Sequence, residues 1–244
     1  MARMETLTGK YKQLLQKYFA SIADSIYRCD LCLQTCGKAS LICDVCNNDL
    51  TSFNLSLVNG NLLQHPKILK NLPAIKFDSL IAIAPYTWPY DQWLVALKYQ
   101  QRFELAQLLS DLLCEQINKH NIHNQLPEML ISVPIHKARL NSRLFNQATL
   151  IAKVLAKNLN INLDTTIVSR VDNTKAQVGQ TGAQRRKSLK GAFAINGQPQ
   201  LPNHIGIVDD VVTTGATVSE IAKLLAQYGV KKITVLSICV SVKL

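Results

Sequence analysis

Two rhythms of apolar and polar positions run along this chain. Leu14, Leu15, Tyr18, Phe19, Ile22 and Ile26 recur at helical spacing and predict one amphipathic helix near the start. Residues 47–73 then hold Asn47, Asn48, Asn54, Asn59, Asn61 and Asn71 with Gly60, Pro66 and Pro73, a composition expected of a linker or crossing. Beyond it, short apolar runs predict strands at 79–84, 129–133, 165–169, 192–195, 204–208 and 232–240. Longer periodic segments predict helices at 92–100, 103–119, 146–159 and 216–228, the last closed by Gly229. This alternation is the βαβ rhythm of an α/β fold, an open and mostly parallel sheet with helices on both faces. The expected organisation is an amino-terminal module at 1–50, a crossing at 51–75 and the α/β domain at 76–244.

Length and composition fit that picture. At 244 residues, with 48% hydrophobic and 18% charged side chains, the chain has enough apolar surface for one full-sized core and a small appendage. Its formal charge of +11 favours polyanions: nucleic acid, phosphorylated metabolites or anionic lipid. Lys10, Lys12 and Lys17 interrupt any secretory core, and the longest apolar stretch, 233–242, is broken by Thr234, Ser237 and Ser241. The expectation is a soluble, cytoplasmic protein without membrane insertion.

Five of the seven cysteines lie between positions 29 and 46. Cys29-x2-Cys32 and Cys43-x2-Cys46 have the spacing by which two tight turns offer four thiolates to one tetrahedral ion, which predicts a structural Zn2+ site with no open position. Cys36 could replace a ligand or stand idle beside the site, and the pairing of two CxxC units favours idle; Cys114 and Cys239 are expected to belong to the core.

A second cluster follows His204. An apolar strand runs into adjacent carboxylates, Asp209 and Asp210, and then into Thr213, Thr214, Gly215, Ala216 and Thr217 at the start of a helix. Helix-start amides and hydroxyls form an anion nest, and Gly215 lets the backbone approach a ligand. Two acids at a strand end can accept hydrogen bonds from the vicinal hydroxyls of a ribose. A phosphorylated sugar satisfies both halves.

Basic residues collect nearby. Lys137, Arg139, Arg143, Lys153 and Lys157 fall in 129–163 without an acid, and Arg185, Arg186 and Lys187 could line the same groove. Tyr86, Trp88, Tyr90, Trp93 and Tyr99 crowd one segment, to stack bases or to pack the core.

The block from His204 resembles the binding signature for phosphoribosyl pyrophosphate (PRPP) in type I phosphoribosyltransferases. With SVPIHKARLNSRLFNQATLIAKVLA from Ser132, VSRVDNTKAQVGQTGAQRRKSLKGAF from Val168 and the CxxC pairs, nearly the whole chain resembles the ComF family, also called GntX-like, of DNA uptake and natural transformation. The resemblance implies a type I phosphoribosyltransferase-like domain behind a four-cysteine zinc finger. It assigns Asp209 and Asp210 to the ribose hydroxyls, with a catalytic role if the protein turns over, and Thr213–Thr217 to the 5-phosphate. It assigns 133–137, with Val133, Pro134, His136 and Lys137, to the pyrophosphate loop. Residues 174–190 match a flexible loop closing over PRPP, in which Gln180, Arg185 and Arg186 stand out; Arg139, Arg143, Gln147 and Lys187 complete the loop and DNA groove. Two positions depart from the family: Leu144 stands where Gly is usual in Arg-Gly-Phe-Asn-Gln, and Ser188 where Asn is usual.

The function this implies is handling of incoming single-stranded DNA by a protein with a PRPP-type site, alongside uptake machinery such as a ComFA-like helicase. PRPP would bring Mg2+. The alternatives are an active phosphoribosyltransferase with an unidentified acceptor, and an adaptor whose zinc module binds a helicase-like partner while its sugar-phosphate site is vestigial.

Overall fold

The computed structural model describes residues 28–36, 40–72, 75–136, 140, 143–171, 189 and 191–242. Two compact units divide the chain, Met1–Thr51 and Ser52–Leu244. The amphipathic helix expected at 11–26 lies outside the described residues.

In the first unit, an isolated antiparallel bridge joins Arg28 to Thr35. It closes a tight turn in which the Cys29 amide donates to the Gln34 carbonyl (2.7 Å) and the Leu33 amide to the Cys29 carbonyl (2.9 Å). Leu33 sits in the left-handed region at φ 62°. A short helix, α1 (Asp44–Asn48), starts directly from Cys43, whose sulfur caps it by accepting from the Cys46 amide.

The second unit is built on a five-stranded parallel sheet: β1 (Ser79–Pro85), β2 (Met129–Ser132), β3 (Asn162–Asp164), β6 (His204–Val212) and β7 (Lys232–Val240), in the spatial order β1-β7-β6-β2-β3. A two-stranded antiparallel ribbon, β4 (Val168–Arg170) with β5 (Phe193–Ile195), stands apart from it. The expected α/β architecture is thus observed, with every pairing in the main sheet parallel. β1 is buried along its whole length, as are most of β6 and β7, which explains why their sequences read as continuous apolar runs rather than alternations. Gly206 lets β6 be covered closely: a Cβ there would stand 2.6 Å from Leu130 and from Pro127.

Helices α3 (Tyr90–Tyr99), α4 (Glu104–Lys119), α5 (Gln147–Leu159) and α6 (Ala216–Gln227) connect the strands. From β2 the chain moves outward to β3 through α5, and from β6 it moves the other way to β7 through α6. Right-handed crossovers in opposite directions place α5 and α6 on opposite faces of the sheet. The reversal leaves a crevice beyond the carboxyl ends of β2 and β6, where ligands bind in open α/β sheets.

Three expected boundaries differ. The strand expected at 165–169 is two elements, β3 and β4, separated by a turn in which Asp164 accepts from the Thr166 and Ile167 amides. The strand expected to stop at Val208 continues through both acids to Val212, because Val211 and Val212 still pair with Cys239 and Val240 of β7. The stretch read as a crossing is packed into the second unit. Its two 3-10 turns, Leu55–Val58 and Leu62–Gln64, and helix α2 (Pro66–Asn71) bury Leu55, Leu62, Ile68 and Leu72. The Asn61 side chain accepts from the Leu80 amide (3.1 Å) and donates to the Asp78 carbonyl (3.0 Å), and the Phe53 amide donates to the Ile83 carbonyl (2.7 Å), all along the outer edge of β1. No helix among the described residues is long and apolar enough to cross a membrane.

Candidate functional site

Cys29, Cys32, Cys43 and Cys46 bring their sulfurs within 4.8 Å of one another. Zinc–sulfur bonds of about 2.3 Å in a tetrahedron require sulfurs about 3.8 Å apart, and the Cys32 and Cys43 sulfurs lie at 3.8 Å. The donor set therefore fits a structural zinc ion, as the spacing predicts. Burial raises the Cys29 thiol, but amide hydrogen bonds from Cys32, Cys43 and Leu31 outweigh it and draw the thiol down to about 6. Cys46 is pushed the other way by desolvation and by the neighbouring sulfurs. Crowded thiols of this kind are relieved when a cation replaces their protons. Cys36 is buried beside the four and outside the set; Cys114 and Cys239 are buried in the second unit.

At the crevice between β2 and β6 lies a cleft of about 290 Å³. Its floor comes from the end of β6, where Asp209 and Asp210 project to opposite faces, as successive strand residues do. Both still line the cleft. The Asp209 carboxylate accepts from the Asp210 amide (2.9 Å); burial, and then the adjacent Asp210 charge, push its carboxyl well above the usual carboxylate range. Asp210 is ion-paired with Lys98 from the last turn of α3. Asp209 also lines a second, smaller hollow of about 50 Å³ formed by 211–218. Here Gly215 caps α6 at φ 69°, a left-handed conformation that explains glycine better than any lack of room, since a Cβ would meet nothing nearer than 3.5 Å. Having no side chain, Gly215 provides no side-chain cap, and the first residues of α6 line the hollow together with Thr213, Thr214 and Thr217.

The opposing wall follows β2. The Val133 amide donates to the Val208 carbonyl (2.9 Å), and Asn146 donates from Nδ2 to the Val133 carbonyl (2.9 Å) while capping α5 through its other atom on the Ala148 amide. Val133 is thus pinned, and Pro134 and His136 line the cleft after it. Arg143 reaches in from before α5, its guanidinium 4.7 Å from the centre of the Tyr99 ring and donating to the Tyr99 hydroxyl (2.9 Å) and to Gln147 Oε1 (3.3 Å). Leu144 takes φ 64° in this approach, the conformation that a glycine adopts freely.

The structure therefore gathers Asp209, Asp210, Thr217, Val133, Pro134, His136, Arg143 and Gln147 on one cleft, with Thr213, Thr214, Gly215 and Ala216 on the adjoining hollow. Lys137, Arg139, Gln180, Arg185, Arg186 and Lys187 lie outside the described residues. Lys153 and Lys157 of α5 are not among the cleft residues. Of the aromatic cluster, Tyr90 and Trp93 are core and pack edge to face, Trp88 is exposed, and Tyr99 is the member at the cleft. Three cleft residues carried no sequence signal of their role: Lys98, Arg170 at the end of β4, and Asn146, whose place before an apolar helical run marks it only as a cap.

No family model matches the chain. Its sequence is 32% identical over 213 residues to the DNA utilization protein YhgH of Escherichia coli (strain K12), covering 86% of this chain and 89% of that protein. The YhgH protein of Salmonella typhimurium matches to the same extent. Competence protein F of Haemophilus influenzae is 33% identical over 203 residues, 80% of this chain and 88% of that protein. Similarity of this depth across most of both chains, on a parallel α/β sheet that follows a four-cysteine cluster, makes this chain a member of the ComF/GntX family, to which competence protein F and YhgH belong.

Proposed function

We propose that this protein is a cytoplasmic component of DNA uptake that handles incoming single-stranded DNA and carries a PRPP-type phosphoribosyl site. The observation that carries the sugar-phosphate reading is the adjacency of Asp209 and Asp210 to the uncapped, threonine-rich start of α6, at the crevice where the sheet reverses. In this reading the α6 amides and the hydroxyls of Thr213, Thr214 and Thr217 hold the 5-phosphate. Asp209 and Asp210 take the ribose hydroxyls, and 133–137 faces the diphosphate. Magnesium enters as the counterion of PRPP, since Asp210 is already paired with Lys98. The net charge of +11 and the basic residues at and beyond the cleft support contact with a nucleic-acid backbone. The DNA-related names of the relatives support the setting. The protein partner in this reading is DNA-uptake machinery such as a ComFA-like helicase.

Calorimetry of the zinc-loaded protein with PRPP and Mg2+, then with an oligonucleotide, tests both parts. Asp209→Asn with Asp210→Asn should abolish PRPP affinity with the fold preserved; unchanged affinity removes the ribose assignment. Binding of single strands through about four phosphates should weaken with salt at a log–log slope of about −3, and a salt-independent interaction counts against the groove. The second reading, an active phosphoribosyltransferase, is favoured by the room the cleft leaves beside the acids. Pyrophosphate release from PRPP with a panel of bases or nucleotides would establish it.

A further inference from the structure

We infer that Tyr99, Arg143 and Gln147 form a seat for a single planar heterocycle rich in carbonyl groups, a keto-pyrimidine or 6-keto-purine ring, beside the ribose position; the inference rests on the sugar-phosphate reading above. Gln147 is the first residue of α5, only 3% exposed, and lines the cleft. Its Oε1 accepts from Arg143, and this contact fixes which way the amide faces. Nε2 is then left buried without a hydrogen-bond acceptor. A buried amide with an unpaired NH2 group is costly in a packed protein, and at the wall of a cleft the natural remedy is an acceptor brought by a ligand.

The surroundings narrow the class of that ligand. Tyr99 is 66% exposed although it lines the cleft, and the Arg143 guanidinium stacks on its ring at 4.7 Å. An open aromatic face joined to a guanidinium plane is a surface on which a flat ring stacks. Beside Tyr99, Arg143 and the Gln147 amide nitrogen present donors, whereas the carboxylates of the cleft are Asp209 and Asp210, the latter held by Lys98. A ring offering carbonyl oxygens matches these donors. One offering an exocyclic amine, as in cytosine or adenine, would set donor against donor. The chain itself ties the two halves of the cleft together: Lys98, on Asp210, and Tyr99, under Arg143, are consecutive in α3.

The test is calorimetry on the full zinc-loaded chain with ribose 5-phosphate, UMP and CMP as probes. UMP should bind at least about tenfold more tightly than ribose 5-phosphate, and more tightly than CMP. Tyr99→Ala should bring the UMP to ribose 5-phosphate ratio close to one, and Gln147→Leu should erase the preference for UMP over CMP. Tyr99 is exposed, so its variant reports even if the buried Gln147 variant folds poorly. Equal affinity for UMP and ribose 5-phosphate, or an unchanged ratio in Tyr99→Ala, overturns the seat while leaving the sugar-phosphate site standing. Absence of binding by ribose 5-phosphate, PRPP and UMP alike overturns that site and the seat with it.

Discussion

Lys98, near the end of α3, and Asp210, near the end of β6, are ion-paired inside the cleft, both only slightly exposed. The acid is therefore held by a cation from a different layer of the fold, and removing either partner strands the other. Lys98→Met should lower stability by about 2 kcal/mol, less than the roughly 3–5 kcal/mol lost when a fully enclosed pair is broken, because some solvent remains. Urea unfolding of the two proteins measures this, and Asp210→Asn in the Lys98→Met background should recover part of the loss.

Asp209 carries a pH signature. Its carboxyl is raised in the folded protein, so above the unfolded value of about 3.9 the unfolded chain releases a proton that the native one keeps. The contribution of this group is thus fully present below about pH 4 and is lost as pH rises toward the folded value. Asp209→Asn should gain stability relative to the parent as pH is taken from 4 to 7, with the difference closing again in acid. A difference independent of pH would show that the carboxyl ionises normally.

For the zinc module, metal analysis of the purified protein should give one zinc per chain. Cys29→Ser or Cys46→Ser should lose it, and Cys36→Ser should retain it. Apparent folding energies of about 10–16 kcal/mol attach to structural zinc in small modules. A chelator should therefore unfold residues 28–50 while leaving the parallel sheet intact, a contrast that amide exchange resolves.

Leu144 occupies a left-handed position while 81% exposed, so its side chain contributes little burial in return for the strain. A non-glycine residue there costs about 1–2 kcal/mol, and a glycine loses about 0.4–1 kcal/mol through the freedom of the unfolded chain. Leu144→Gly should stabilise by about 0.5–1 kcal/mol in a denaturant titration, and a destabilised variant would mean that Leu144 makes contacts worth more than the strain.

The sheet was legible because β1, β6 and β7 are covered on both faces and so are written as unbroken apolar runs. β3 is hidden from such a reading because Asn162–Asp164 is a three-residue edge strand held by pairing with β2, and its composition reads as turn. The packing of 52–72 is hidden for a similar reason. Asn54 and Asn61 are there as turn caps and backbone clamps, so composition reports the turns correctly and says nothing of the leucines buried beneath them. The four clustered cysteines and, separately, the acid–threonine block are each local in sequence and could be found by spacing. Lys98 and Arg170 come from α3 and from β4 of the antiparallel ribbon, and only the folded arrangement brings them to the same cleft.

That clamped strap also bears on how the protein behaves at high concentration. β1 closes one side of the main sheet, and a bare edge of that length is a template on which a second molecule could add a strand. Asn61 and the Phe53 amide already occupy two of its polar groups, those of Leu80 and Ile83, and the Asp78 carbonyl just before it. A stretch composed like a tether thus acts as a guard against self-association: loosening it through Asn61→Ala would be felt first in light scattering, before any loss in ligand affinity.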